Sequence, residues 1–229
     1  MLLKDYKRLL YWKLSPKITR KIECLRYPEM SVKNVYMEEF DRTKSIFIHI
    51  PKVAGKSISQ ALYGKDPRHH SIVDFINQDV DKYINYYTFS FVRNPWSRFC
   101  SIYFYLCEQN KNFPNGQYAW LSKYKNINDF VLNALHPDLL TQFDFFKTQF
   151  FYLSNVDNAI AVDYIGKFED IDHDFAIISK KLGVNRSLPH IGKARFRKKY
   201  HEVLSVKSVD RIGEVYERDL VEFGYRASS

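Results

Sequence analysis

Three cationic side chains, Lys52, Lys56 and Arg93, stand where apolar runs end. The first two lie in Pro51-Lys52-Val53-Ala54-Gly55-Lys56-Ser57. Pro51 lacks a backbone donor and stops a strand ladder. Gly55 allows a turn closed to other residues. A tight turn feeding a helix points backbone N–H groups and the helix dipole at one spot, which makes an anion site. Lys52 and Lys56 add two charges to it. Arg93 opens Arg93-Asn94-Pro95, with Ser101 eight positions after Arg93. Arginine binds phosphate bidentately through its planar fork. Asn94 is a good N-cap and Pro95 suits the first helical position, so Arg93 is predicted at the carboxyl end of a strand. Open α/β sheets bind ligands at that end.

The chemistry these residues exclude is as informative. A Walker A loop, G-x-x-x-x-G-K-[ST], needs a first glycine where this chain has Ile50. A Walker B strand ends in Asp to hold Mg²⁺, and this strand ends in Arg93. A P-loop nucleotide kinase therefore lacks two of its parts. A non-catalytic polyanion-binding module would account for the net charge of +9, but not for Arg93 and Ser101 in register after a strand. Adjacent histidines, His69 and His70, follow in the loop from Asp66 to Ser71. A neutral imidazole suits proton abstraction from a hydroxyl near pH 7. His49 lies inside a strand pattern and reads as structural. His136, His173 and His201 are far from both segments.

These side chains need a frame. Ser45 to Ile50 is a near-continuous apolar run, as in a strand buried on both faces of a parallel sheet. Ser57 opens a helix through Ile58, Ala61 and Leu62, which Gly64 stops. Ile72, Val73, Phe75 and Ile76 have helical spacing. Thr88 to Val92 is a second strand, with Ser101 two turns into the following helix. Lys111 to Lys125 reads as a surface loop, and a helix runs from Ile127 to Pro137. The aromatic, amphipathic stretch Leu139 to Phe151 reads as core, with an acceptor cleft as the alternative. Ala159 to Phe168 is a third strand. A helix carrying Phe175, Ile178 and Leu182 follows it. A basic loop spans Pro189 to Lys199, and a last helix from about Ser208 carries Ile212, Tyr216, Leu220 and Phe223. The fold class is α/β, a P-loop-like open parallel sheet flanked by helices on both faces. Residues 1–44 read as a basic helical extension packed on the domain formed by residues 45–229.

The charge of +9 favours anionic ligands without choosing among them. The three cysteines do not make a disulfide framework, since Cys100 and Cys107 fall about 10 Å apart along one helix. No C-x-x-C or paired histidine spacing predicts a metal site. No apolar run is long enough to span a bilayer, although the basic lead-in is compatible with peripheral membrane contact. The basic loop alone is a compositional signal, and no nucleic-acid partner is expected from it.

Pro51-Lys52-Val53-Ala54-Gly55-Lys56-Ser57 resembles the 5′-phosphosulfate loop of the PAPS-dependent sulfotransferases, where PAPS is 3′-phosphoadenosine 5′-phosphosulfate. Arg93-Asn94-Pro95 with Arg98, Ser101 and Tyr103 resembles their 3′-phosphate motif. Ile165-Gly166-Lys167-Phe168-Glu169-Asp170 and the close in Phe223-Gly224-Tyr225 are similar to the carbohydrate branch. Lys56 stands where that family usually has Thr, and Gly192 and Ala194 where H-x-N-x-S is common. The resemblance spans Ile46 to Tyr225. It implies metal-independent, in-line transfer of a sulfuryl group from PAPS to a hydroxyl of a glycan, in a cytoplasmic enzyme. By resemblance Lys52 is catalytic, and Lys52, Val53, Ala54, Gly55, Lys56 and Ser57 hold the phosphosulfate. Arg93 and Ser101 hold the 3′-phosphate, and Lys193 in the basic loop touches nucleotide, as His190 would. His70-Ser71 is similar to the segment that carries a catalytic histidine in some carbohydrate sulfotransferases. The expected base is His70, ahead of His69, with Glu169 as the outside candidate.

Overall fold

The computed structural model describes residues 34–184, 186–189 and 198–227. Residues 1–33, and with them most of the basic lead-in, lie outside the described residues, as do His190 and Lys193. Three parallel strands form the sheet: β1 (Ser45–Ile48), β2 (Tyr87–Val92) and β3 (Tyr164–Lys167), with β2 in the centre. Every residue of β1, and all but the first of β2, is buried. Successive strand residues point to opposite faces, so both faces of these two strands are covered. Ile48 pairs with Ser90, and Val92 with Lys167. Parallel pairing in this register brings the chain leaving β1 and the chain leaving β2 out at the same edge, side by side.

Helix α1 (Glu38–Thr43) precedes the sheet. Its Phe40 is fully buried, edge-on to Tyr63 at 5.0 Å, in the core that also holds Phe47 and Phe89. Val35, Tyr36 and Phe40 thus share the core of the sheet. The β1–β2 crossover carries α2 (Gly55–Leu62), α3 (Ile72–Gln78) and α4 (Val80–Asn85). Ser71 and Asp74 form a reciprocal capping box at the start of α3. The β2–β3 crossover carries α5 (Pro95–Asn112), α6 (Ile127–Ala134), α7 (Pro137–Gln142) and α8 (Gln149–Leu153). After β3 come α9 (Ile171–Lys181), α10 (Val206–Val215) and α11 (Glu217–Phe223). A second core joins α5, α6 and α10 through Phe99, Phe130, Phe146, Ile212 and Tyr216.

Several boundaries differ from the sequence reading. α2 starts at Gly55, two residues before Ser57, because Ala54 takes the cap position. The stretch 111–125 holds a 3₁₀ turn at Ala119–Lys123, whose Leu121 is buried in the second core. The third strand is shorter than its apolar pattern. Ile160 pairs antiparallel with Ser154 instead, and the Asp163 carboxylate accepts hydrogen bonds from the N–H and hydroxyl of Thr88. The final stripe is split at Tyr216, whose non-helical backbone separates α10 from α11.

Candidate active site

The turn after β1 is bent by two residues that are not glycine. Lys52 and Ala54 have φ of 71° and 65°, in the left-handed region. Such angles cost an L-residue about 1–2 kcal/mol each, so the surroundings must enforce them. Ala54 caps α2, its carbonyl accepting from the N–H of Ser57 at 2.9 Å. Val53 and Ser57 are buried, Lys52 is half-buried and Lys56 is exposed as the second residue of α2. The N–H groups of Gly55 and Lys56 head α2, upstream of any intrahelical acceptor. Gly55 is fixed by close approach. A Cβ there would lie 1.8 Å from Cδ2 and 2.0 Å from Nε2 of the His49 ring.

Arg93 reaches this turn. Its Nη1 donates to the Lys52 carbonyl at 3.2 Å. Nε and Nη2 donate to Ser97 Oγ at 3.2 and 2.9 Å, and the guanidinium lies 4.2 Å from the Phe168 ring centroid. Burial pulls the Arg93 pKa down to about 10, which leaves it charged at neutral pH. Its backbone is clamped by the Gln149 amide, which accepts from the Arg93 N–H and donates to the Arg93 carbonyl, both at 2.8 Å. Gln149 is itself fully buried, and its own N–H donates to the Asp219 carboxylate of α11 at 2.9 Å. Ser101 is half-buried, four residues beyond Ser97 and so on the same face of α5. Glu169 is committed beside Arg93: its Oε1 accepts from Asn94 N–H at 2.8 Å and its Oε2 from the Tyr225 hydroxyl at 2.9 Å.

Arg98 behaves differently. It is only 1% exposed, and its three nitrogens donate to the carbonyls of Pro51, Lys147 and Phe145 at 3.0, 3.0 and 3.1 Å. It ties the turn to segment 145–147 from within the protein.

On the other side of Lys52 is an aromatic wall. Lys52 Nζ lies 4.4 Å above the Tyr105 ring, and Tyr105 lies 5.4 Å from Phe145. Phe145 is 6.1 Å from His69, which is 4.4 Å from His49. His69 Nδ1 is 2.8 Å from the His49 carbonyl. A carbonyl only accepts, so Nδ1 carries the proton and Nε2 keeps its lone pair. Burial, with the His49 charge adding, brings the His69 pKa down to about 4. His70 packs edge-on to Phe75 at 6.2 Å, and burial lowers its pKa too. Of the two, His69 is the one in this chain of contacts to Lys52.

Several members of the site had weak signals in the sequence. Ser97 is four residues from Arg93 across a predicted strand–helix junction, and Tyr105 is one aromatic among many in α5. Gln149 lay in the aromatic stretch Leu139 to Phe151, and Asp219 carried no signal. Among the described residues no three His, Cys, Asp or Glu side chains cluster as a metal ligand set, and no helix is long and apolar enough to cross a membrane.

Comparison with known proteins gives three findings. The sequence model described as the sulfotransferase family matches residues 39–226. A stretch of 103 residues is 29% identical to a protein of Archaeoglobus fulgidus described as uncharacterized, covering 45% of this chain and 72% of that protein. No solved structure matches the chain.

Proposed function

The chain belongs to the sulfotransferase family, and from that premise we propose that it moves the sulfuryl group of PAPS to a hydroxyl of a carbohydrate, in line and without a metal ion. The observation that carries this reading is the contact between Arg93 and the Lys52 carbonyl. Two anion-binding segments far apart in sequence meet at one point, as a nucleotide with phosphates at both the 3′ and 5′ positions requires. In this reading Arg93 and Ser101 hold the 3′-phosphate, and the 53–57 backbone with Lys52 holds the phosphosulfate. Lys52 neutralises charge on the leaving phosphate oxygen. The half-buried faces of Tyr105 and Phe145 suit the C–H face of a sugar ring, which supports a carbohydrate acceptor.

For the base we propose His69 in place of His70, because a carbonyl fixes its tautomer and leaves Nε2 able to take the hydroxyl proton. His69→Ala is expected to lower turnover by about 10²- to 10⁴-fold, with nucleotide affinity nearly intact. His70→Ala is expected to have a far smaller effect. Since the His69 pKa lies near 4, its neutral, active form persists as pH falls from 7 and is lost only on approaching that value. kcat/KM measured against pH checks this. An acid limb centred above pH 6 and abolished activity in His70→Ala would return the role to His70.

The reading is tested by transfer from labelled PAPS to a panel of glycans, with and without EDTA. Binding of the product nucleotide, 3′,5′-phosphoadenosine, is expected to raise the melting temperature in EDTA. ATP with Mg²⁺ stabilising the protein more than this nucleotide would overturn the reading in favour of a kinase-like enzyme. Arg93→Ala removes a charge-assisted contact, and its expected cost in affinity for this nucleotide is on the order of 2 kcal/mol or more. Titration calorimetry of the variant measures it, and unchanged affinity would remove Arg93 from the site.

A further inference from the structure

We propose that Asp66 and His49 form a positioning pair for the transfer step, locking the phosphosulfate turn and the His69 base into one register. The inference rests on the sulfotransferase reading with His69 as base. His49 is 3% exposed and is held on every side. Its Nδ1 lies 2.8 Å from Asp66 Oδ1, and because the carboxylate accepts, Nδ1 is the donor. The opposite edge of the ring, Cδ2 and Nε2, is pressed against Gly55 so closely that no Cβ fits between them. The ring stacks on Phe47 at 5.6 Å and meets His69 at 4.4 Å. The backbone carbonyl of the same residue accepts the Nδ1 proton of His69. One residue therefore touches both halves of the reaction, the turn by its side chain and the base by its main chain.

Asp66 is the outer anchor. Its side chain is 39% exposed, and Oδ1 also accepts from Arg68 N–H at 3.0 Å, which shapes the loop leading to His69. The hydrogen bond from His49 holds the Asp66 carboxyl down at about 2, so the acceptor is ionised at any working pH. Without that acceptor the buried Nδ1–H of His49 has lost its partner, and a buried donor without one drives rearrangement. Gly55 blocks movement of the ring inward, so relief comes by tilting the His49 carbonyl away from His69. Misplacement of reacting groups by about 1 Å costs on the order of a hundredfold in rate.

The test is a KM-against-kcat comparison of Asp66→Ala and Asp66→Asn in the full chain, with ¹⁵N spectra of the histidine rings. Asp66→Ala is expected to lower kcat by about tenfold or more, with affinity for 3′,5′-phosphoadenosine changed by less than about twofold. Asp66→Asn keeps an acceptor oxygen and is expected to recover most of the rate. The spectra are expected to show His69 as the Nδ1–H tautomer in the parent protein and as a mixture in Asp66→Ala. Wild-type kcat in Asp66→Ala would overturn the proposal, as would lost kcat with the His69 tautomer unchanged. If the parent protein transfers sulfate to no acceptor, the enzymatic reading falls instead. The ring spectra then still decide whether Asp66 fixes His49 and His69.

Discussion

Lys52→Ala is expected to lower turnover by about 10²- to 10³-fold, the usual cost of removing one preorganised donor from developing charge. Affinity for the product nucleotide is expected to fall much less, because Arg93 and the start of α2 remain. The separation follows from geometry. Arg93 bonds the Lys52 carbonyl, which survives the substitution, whereas the Lys52 ammonium stands against the Tyr105 ring. Only interactions stronger in the transition state than in the ground state raise kcat. Single-turnover rates set beside binding isotherms measure the two effects apart. Equal losses of affinity in Lys52→Ala and Arg93→Ala, with turnover unchanged, would contradict the assignment.

Arg98→Ala is expected to destabilise the protein by about 3–5 kcal/mol, a large part of the stability of an ordinary domain. The change leaves three carbonyls, those of Pro51, Phe145 and Lys147, without their donor in the interior. It also strips a cation from the surroundings of the fully buried Asp219 carboxyl. Burial raises the Asp219 pKa, and the Arg98 charge is the largest influence opposing that rise. Arg98→Lys keeps a charge but not the three-way fork, and should fall between the two. Urea unfolding of the three proteins gives the comparison, and a loss below about 1 kcal/mol for Arg98→Ala would mean the fork is dispensable.

The sequence was most legible where one local pattern decided the outcome. The apolar run before Pro51, the Asn94-Pro95 start of α5 and Gly224 as a left-handed helix end all carry their signal within a few residues. The convergence of the two basic segments followed from parallel pairing, since strand ends of one sheet share an edge. What stayed hidden depends on partners distant in sequence. Arg98 sits in a motif with Arg93 and has the same chemistry, yet it faces inward to carbonyls of residues 51, 145 and 147. That His69 meets the main-chain carbonyl of His49, twenty residues away, is a contact no side-chain pattern encodes. His49 read as a strand residue because it adjoins a strand, and its ring contact with Gly55 exists only once the turn has closed.

The clamp from Asp219 through Gln149 to the Arg93 backbone also bears on the order in which the protein is made. Translation releases β2 long before α11, so Arg93, just after that strand, emerges without the carboxylate that seats its clamp. A ribosome-bound chain halted before Asp219 would carry both basic segments and still lack the group that orients Gln149. If the proposed nucleotide site is the one that Arg93 serves, its support is completed only by α11, and nascent chains should gain affinity for 3′,5′-phosphoadenosine late and abruptly, when α11 docks.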